Sequence, residues 1–354
     1  MARNSSFTFK GKAVDIKEVG RKLGVRYVLE GSVRKASGKV RITGQLIDAV
    51  SGAHIWADTI ERDLTDVFAL QDELTVAVVS AIQPKMLQTE TEMATRRRPE
   101  NLTVYDLCLR ARQKYTLRSR EGFAETILLA HRALELDPRS VEAAVLAANA
   151  HITNVGQGFA IDPQFERNEV VRLVRLALSL DENDERVLSV AGLAAAYFTG
   201  DYETAIDFVD RAIVSNPNDP SSWRRKGWVY KWAGLYEEAI RSFERSIRLS
   251  PLDPQNHDCL TGIGYALIEL RRFDEAVAFF KRALRQNSSY GATSRGLTSA
   301  LAHLGRDAEA REAAAHLLVV DPAFTITGWI ARGRGGQSNA KLMVEGFRKA
   351  GLPE

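Results

Sequence analysis

The sequence predicts two parts, an α+β amino-terminal domain and after it an all-α solenoid of repeated helix pairs. The first is expected to be an antiparallel meander with flanking helices, incomplete in its strands. Two observations carry this reading. Between Val25 and Asp63 apolar and polar residues alternate, which is the period of a half-buried strand. From residue 102 onward large, small and aromatic side chains return at fixed offsets, with a period of about 34 residues, as in stacked helix pairs.

The bulk properties bound the possibilities. At 354 residues, 45% hydrophobic and 26% charged, the chain has the make-up of a globular protein with room for two domains. A formal net charge of +3 supplies no global field for nucleic acid. Basic residues do dominate between Arg3 and Arg41, opposed only by Asp15, Glu18 and Glu30; on strands and a helix they read as solvated faces. Cys108 and Cys259 stand far apart in apolar helical patterns, without metal-type spacing, and read as reduced core residues. No stretch reaches the roughly 20 apolar residues of a membrane helix, and MARNSSFTFKGK lacks a signal peptide's apolar segment. A cytoplasmic location is expected.

In 15-DIKEVGRKLG-24, Ile16, Val19 and Leu23 share one side and a glycine follows, so a short helix is predicted. Three strands come next, with Val40, Ile42 and Leu46 on one face and Arg41, Thr43 and Gln45 on the other; Ser37-Gly38 and Ser51-Gly52 mark the turns. A longer helix is predicted from an Asp63 cap through Val67, Phe68, Leu74, Val78 and Ile82 to Pro84. The strings ARNSSFTFKGKAVDIKEVGRKLGVRYVLEGSVRK, GAHIWAD and DVFALQDELT resemble the later portion of the TolB amino-terminal-like domain of bacterial signalling proteins. That domain has an earlier strand and helix, so the resemblance implies that Met1 falls within it, by truncation or a misassigned start. A strand edge would then be open to self-association. The domain is placed at 1–90, followed by a polar linker at 91–101.

Trp223, Gly227, Tyr230, Ala239, Phe243 and Pro251 fall on the signature offsets of a tetratricopeptide repeat, where they pack two helices together. Leu260, Gly264, Leu267, Ala276, Phe280 and Ala283 mark the next copy, and Leu297, Leu301, Ala310 and Pro322 the last; Ala205, Val209, Ala212 and Pro217 belong to the copy before. Two weaker copies end at Ala133 and Pro138 and at Ala177 and Leu180, the second with an insertion around 155–165. Six helix pairs are expected over 102–322, with a capping helix and tail over 323–354.

The sequence offers little chemistry. There is no phosphate-binding loop, the acidic run 181-DENDE-185 reads as a cap and turn, and His54, Trp56 and Asp58 lack a nucleophile beside them. His131, His151 and His316 lie in separate predicted helices. Catalytic, cofactor-binding and metal residues are therefore not predicted.

A repeat superhelix instead offers a concave groove lined by the first helix of each pair. The offsets point to Tyr197, Phe198, Arg224, Trp228, Lys231, Trp232, Tyr265, Arg295 and His303, basic and aromatic side chains suited to a protein or peptide with acidic and apolar residues. Trp228 and Trp232 could equally pack between helices. Taken whole, and with its GFRKAGLPE ending, the chain resembles the non-catalytic part of bacterial class III adenylate/guanylate cyclase-type proteins, or of winged-helix regulators, that carry the same two parts. This implies an interaction module, or the detached regulatory region of a cyclase or transcription regulator, and not an enzyme in itself.

Overall fold

The computed structural model describes residues 15–36, 39–63, 102–332 and 340–354, with isolated positions at 9, 82, 86 and 88–91. The chain divides into two units, Met1–Met93 and Ala94–Glu354.

In the first unit α1 (Ile16–Leu23) starts at Asp15, whose side chain accepts from Lys17 N at 2.9 Å, and ends at Gly24 in the left-handed conformation. Strands β1 (Tyr27–Ala36), β2 (Lys39–Asp48) and β3 (His54–Asp63) pair antiparallel in that order. Val33, Ile42 and Ile60 stand in one cross-strand row. The turn into β3 is organised by Asp48, which accepts from Val50 N and Ser51 N at 2.8 and 3.0 Å. A Cβ on Gly20 would lie 2.4 Å from that of Ala49, so the helix meets the turn where only glycine fits. The predicted Ser37-Gly38 turn and the helix between Asp63 and Pro84 lie outside the described residues, apart from single positions.

In the second unit six antiparallel helix pairs follow one another: α2 (Val104–Thr116) with α3 (Arg120–Leu136), α4 (Val141–Gln157) with α5 (Pro163–Leu180), α6 (Glu185–Ala194) with α7 (Tyr202–Ser215), α8 (Pro220–Trp232) with α9 (Tyr236–Leu249), α10 (Asn256–Glu269) with α11 (Phe273–Gln286), and α12 (Gly291–His303) with α13 (Asp307–Val320). Side-chain caps open many of them: Thr103 and Asp106 form a reciprocal capping box, and Ser119, Ser140, Asp162, Asp184, Asp201 and Asp219 each accept from a first-turn N–H. The 181–185 run is such a cap and turn. A π-turn over Ala195–Thr199 extends α6.

The inner turns of the pairs carry Arg118, Gly158, Gly200, Gly234, Arg271 and Gly305 in the left-handed region. Cys108 and Cys259 are free and buried. Two large apolar clusters run along the unit, one from Leu107 to Phe198 and one from Ala196 to Leu352, beside a small one of Tyr115, Phe123 and Ala150, and Trp228 and Trp232 pack against both large ones. After the last pair come α14 (Ile326–Arg332) and α15 (Ala340–Lys349). Helix α15 lies on α12, where a Cβ on Gly346 would meet Ser299 Oγ at 2.3 Å.

Candidate binding cavity

A cavity of about 210 Å³ opens among the first helices of the second unit. Tyr115 from α2, Tyr197 from the π-turn, Trp228 and Trp232 from α8, Tyr265 from α10 and Trp329 from α14 give it aromatic walls. Trp228 is the centre of that wall, 5.7 Å from Trp232 and 6.1 Å from Tyr265 between ring centroids, and Tyr197 lies 5.3 Å from Trp232. The two tryptophans thus both pack between helices and face the cavity.

Of the residues selected from sequence, all but Phe198 and His303 line this space. Phe198 is buried beside it, edge-on to Tyr197 at 5.1 Å. His303 stacks on Phe273 at 4.7 Å and donates from Nε2 to Leu342 O at 2.8 Å, so it fastens the tail helix. Arg224, Lys231 and Arg295 line the space as buried side chains, only 5%, 8% and 3% exposed. The first helices curve around them and the tail helices close over one side, so charges at groove-facing offsets end up inside.

Among the described residues five cationic side chains line the cavity, Arg118, Arg224, Arg225, Lys231 and Arg295, against one carboxylate, Asp258. Asp258 is fully engaged. It accepts from Tyr290 Oη at 2.8 Å and Trp228 Nε1 at 3.2 Å, and lies 3.6 Å from Arg224 Nε and 4.0 Å from Arg118 Nη2. Burial pushes its pKa upward, but Arg118 and Arg224 outweigh this and hold it below the usual carboxylate range. It stays charged and is not poised as a base.

Other donors are spare. Lys231 Nζ sits 5.5 Å from the Tyr265 ring centroid and makes no hydrogen bond or ion pair within 4 Å among the described residues. Burial lowers its pKa, opposed by the more distant Glu269. The Nε atoms of Arg118 and Arg295 are buried without a partner among the described residues. An unpartnered buried donor costs about 1–3 kcal/mol, more when charged, so the cavity is suited to a ligand that brings negative charge and flat apolar surface.

Sequence reading missed Arg118. Its side chain donates to Gln255 Oε1 at 2.6 Å and to Tyr115 Oη at 3.1 Å, with the guanidinium 4.5 Å from the Tyr115 ring centroid, and so joins the first helix pair to the fifth. The available signal was its place: an arginine stands at an inner turn where glycine serves in four other pairs. Sequence reading also left His131 and His151 apart, whereas α3 and α4 bring their Nε2 atoms to 3.5 Å.

The tetratricopeptide repeat family matches residues 193–257 and 261–322. Over 138 residues the chain is 46% identical to "Putative adenylate cyclase 3" of Rhizobium meliloti (strain 1021), covering 39% of this chain and 24% of that one. The chain spans about a quarter of the length of the curated relatives it matches, 24% and 27%. Among solved structures, the monomeric mutant of IFIT1 with Gppp-AAAA aligns at a TM-score of 0.55 and 13% identity over 79% of this chain and 67% of that chain. The APC/C hetero-tetramer Cut9-Hcn1 aligns at 0.51 and 15% over 77% and 48%. These two likenesses show the fold alone. Residues 193–257 and 261–322 are tetratricopeptide repeats, set within a solenoid of helix pairs that runs from 104 to 320.

Proposed function

We propose that the chain is a non-catalytic interaction module whose cavity takes an acidic, aromatic-bearing segment of a protein partner. The observation that carries this is the surplus of buried cations around an aromatic wall, with Lys231 lacking an anion within 4 Å among the described residues. Carboxylates on the partner would satisfy Lys231 and the spare Arg118 and Arg295 donors, while an aromatic side chain would extend the Trp228 and Trp232 stack. Tetratricopeptide repeats are protein-interaction modules, which agrees with this reading. The test uses tryptophan fluorescence with synthetic peptides: acidic peptides containing Phe or Trp should bind, and basic ones of the same length should not. Lys231→Met should weaken acidic-peptide binding about tenfold, one charge-assisted hydrogen bond. Equal affinity for acidic and basic peptides overturns the proposal.

A second reading concerns context. The 46% identity to a protein named as a cyclase favours a regulatory region of a class III adenylate/guanylate cyclase, in the cytoplasm, with a TolB-like domain over 1–90, a linker over 91–101 and the tail over 323–354; a winged-helix regulator is the alternative. The purified chain should then form no cyclic nucleotide from ATP or GTP with magnesium or manganese, yet change the rate of a cyclase catalytic domain added to it. Product from the chain alone refutes the non-catalytic reading, and an unchanged rate refutes the regulatory one. Self-association through the sheet of the first unit is part of the same proposal, and a monomer by sedimentation at all concentrations rules it out.

A further inference from the structure

We infer that His131, His151 and Glu169 form a site for one divalent transition-metal ion of zinc type. The residues come from α3, α4 and α5, and their ligand atoms all lie within 4.8 Å of one another. Zinc bonds of about 2.0–2.1 Å in a tetrahedral shell place neighbouring donor atoms about 3.3 Å apart. His131 Nε2 is 3.5 Å from His151 Nε2 and 3.8 Å from Glu169 Oε2. Small side-chain rotations close the remaining gap. Two imidazoles and one carboxylate with a fourth position left for water are a zinc-binding donor set.

The surroundings are built as ligand supports. His151 is buried, and its Nδ1 contacts Glu166 Oε2. Asn154 Nδ2 donates to the other oxygen of Glu166 at 2.7 Å, which fixes that carboxylate. A proton on Nδ1 held by Glu166 leaves the Nε2 lone pair free and aimed at His131, the carboxylate–histidine–metal relay. Arg172 holds Glu169 through Nη2 to Oε2 at 2.8 Å and Nε to Oε1 at 3.0 Å. Each carboxylate oxygen has two lone pairs, so Oε2 can accept from Arg172 and still bind an ion. Without an ion, the two Nε2 atoms can share only a single long hydrogen bond. His131 and Glu169 are part-exposed, with side chains 32% and 19% accessible, so an ion has a path in from solvent.

The test uses the full chain, stripped with EDTA. Zinc chloride should bind with one equivalent surviving gel filtration, and at a hundredfold excess over its dissociation constant should raise the melting temperature by about 5–10 °C. Cobalt(II) should give the visible absorption of a tetrahedral complex. His131→Gln and Glu169→Gln, at part-exposed positions, should lose the retained equivalent, and Glu166→Gln should weaken zinc about 10–100-fold. No retained zinc in the unaltered chain, or equal zinc affinity in His131→Gln, overturns the assignment, the latter by placing the ion at other histidines. The cobalt spectrum reads the unaltered chain, so the test stands even where a variant fails to fold.

Discussion

Phe243 fits against Gly262 so closely that a Cβ on that glycine would lie 2.3 Å from Phe243 Cζ. Gly227 flanks the same ring from α8, with a Cβ at 2.6 Å, and the pattern returns one pair later, where Phe280 is held between Gly264 and Gly296. In these two pairs one phenylalanine from the second helix therefore seats between glycines of two first helices. Gly262→Ala should force the ring or the helix aside and cost about 1–3 kcal/mol, read as a lower thermal midpoint. An unchanged midpoint would mean that the helices separate at no cost.

The same contacts explain what was legible in sequence. Gly227, Tyr230, Ala239 and Phe243 face immediate neighbours, so spacing alone exposes them, as does the alternation of Val40, Ile42 and Leu46. The burial of Arg224, Lys231 and Arg295 depends on how far successive pairs rotate, a quantity spread over many packing contacts and absent from any one repeat. Arg118 reaches Gln255 across four pairs, and His131 meets His151 only through the register of α3 on α4. Long-range closure of this kind leaves no local period to read.

The left-handed turns at Arg271 and Arg118, with φ of 58° and 53°, should respond oppositely to glycine. Arg271 is exposed, and Arg271→Gly relieves a left-handed cost of about 1–2 kcal/mol against an added chain entropy of about 0.5–1 kcal/mol. A small gain in stability should follow. Arg118→Gly relieves the same backbone but deletes the bonds to Gln255 and Tyr115, so it should lose stability. Urea midpoints decide, and a loss in both would show that the turns are unstrained.

Both thiols should be inert in the folded chain. Burial pushes Cys259 up to about 12 and Cys108 up to about 11, so neither offers thiolate near pH 8. A colorimetric disulfide reagent should find no reactive thiol in native protein and two in guanidinium. Fast native labelling of either cysteine would place it at the surface.

His257 sets a pH dependence. Its Nδ1 donates to Pro254 O at 2.9 Å, and Asn287 Nδ2 lies 3.4 Å from Nε2, an arrangement for the neutral ring. Burial lowers its pKa most, and Arg118 and then Arg224 add repulsion that Asp258 opposes. An unfolded histidine titrates near about 6.5, so below that pH the unfolded chain binds the extra proton and the folded one resists it. Stability from this residue is complete above that value and is lost as pH falls toward the lowered folded value. His257→Gln should flatten the decline in melting temperature between pH 7 and 5. Parallel curves for the two proteins would refute the assignment.

Arg224 and Lys231 share the cavity but should behave differently when their charge is removed. Arg224 is held 3.5 Å from Asp253 and 3.6 Å from Asp258. Arg224→Met leaves the buried Asp258 and the part-exposed Asp253 with less compensation, and breaking a buried pair costs about 3–5 kcal/mol. Arg118 still faces Asp258, which puts the expectation at the lower end. Lys231 has no such partner within 4 Å among the described residues, and burial already disfavours its charge. Lys231→Met exchanges an ammonium for a thioether of similar length beside Tyr265, so stability should be unchanged or raised. Arg224 thus belongs to the structure, whereas the charge of Lys231 is favoured within the chain only by Glu269, which lies beyond 4 Å, against the cost of burial. Chemical denaturation of the two variants separates the cases: equal losses would mean that Lys231 is a structural ion too, and would remove the reason to assign it to a partner.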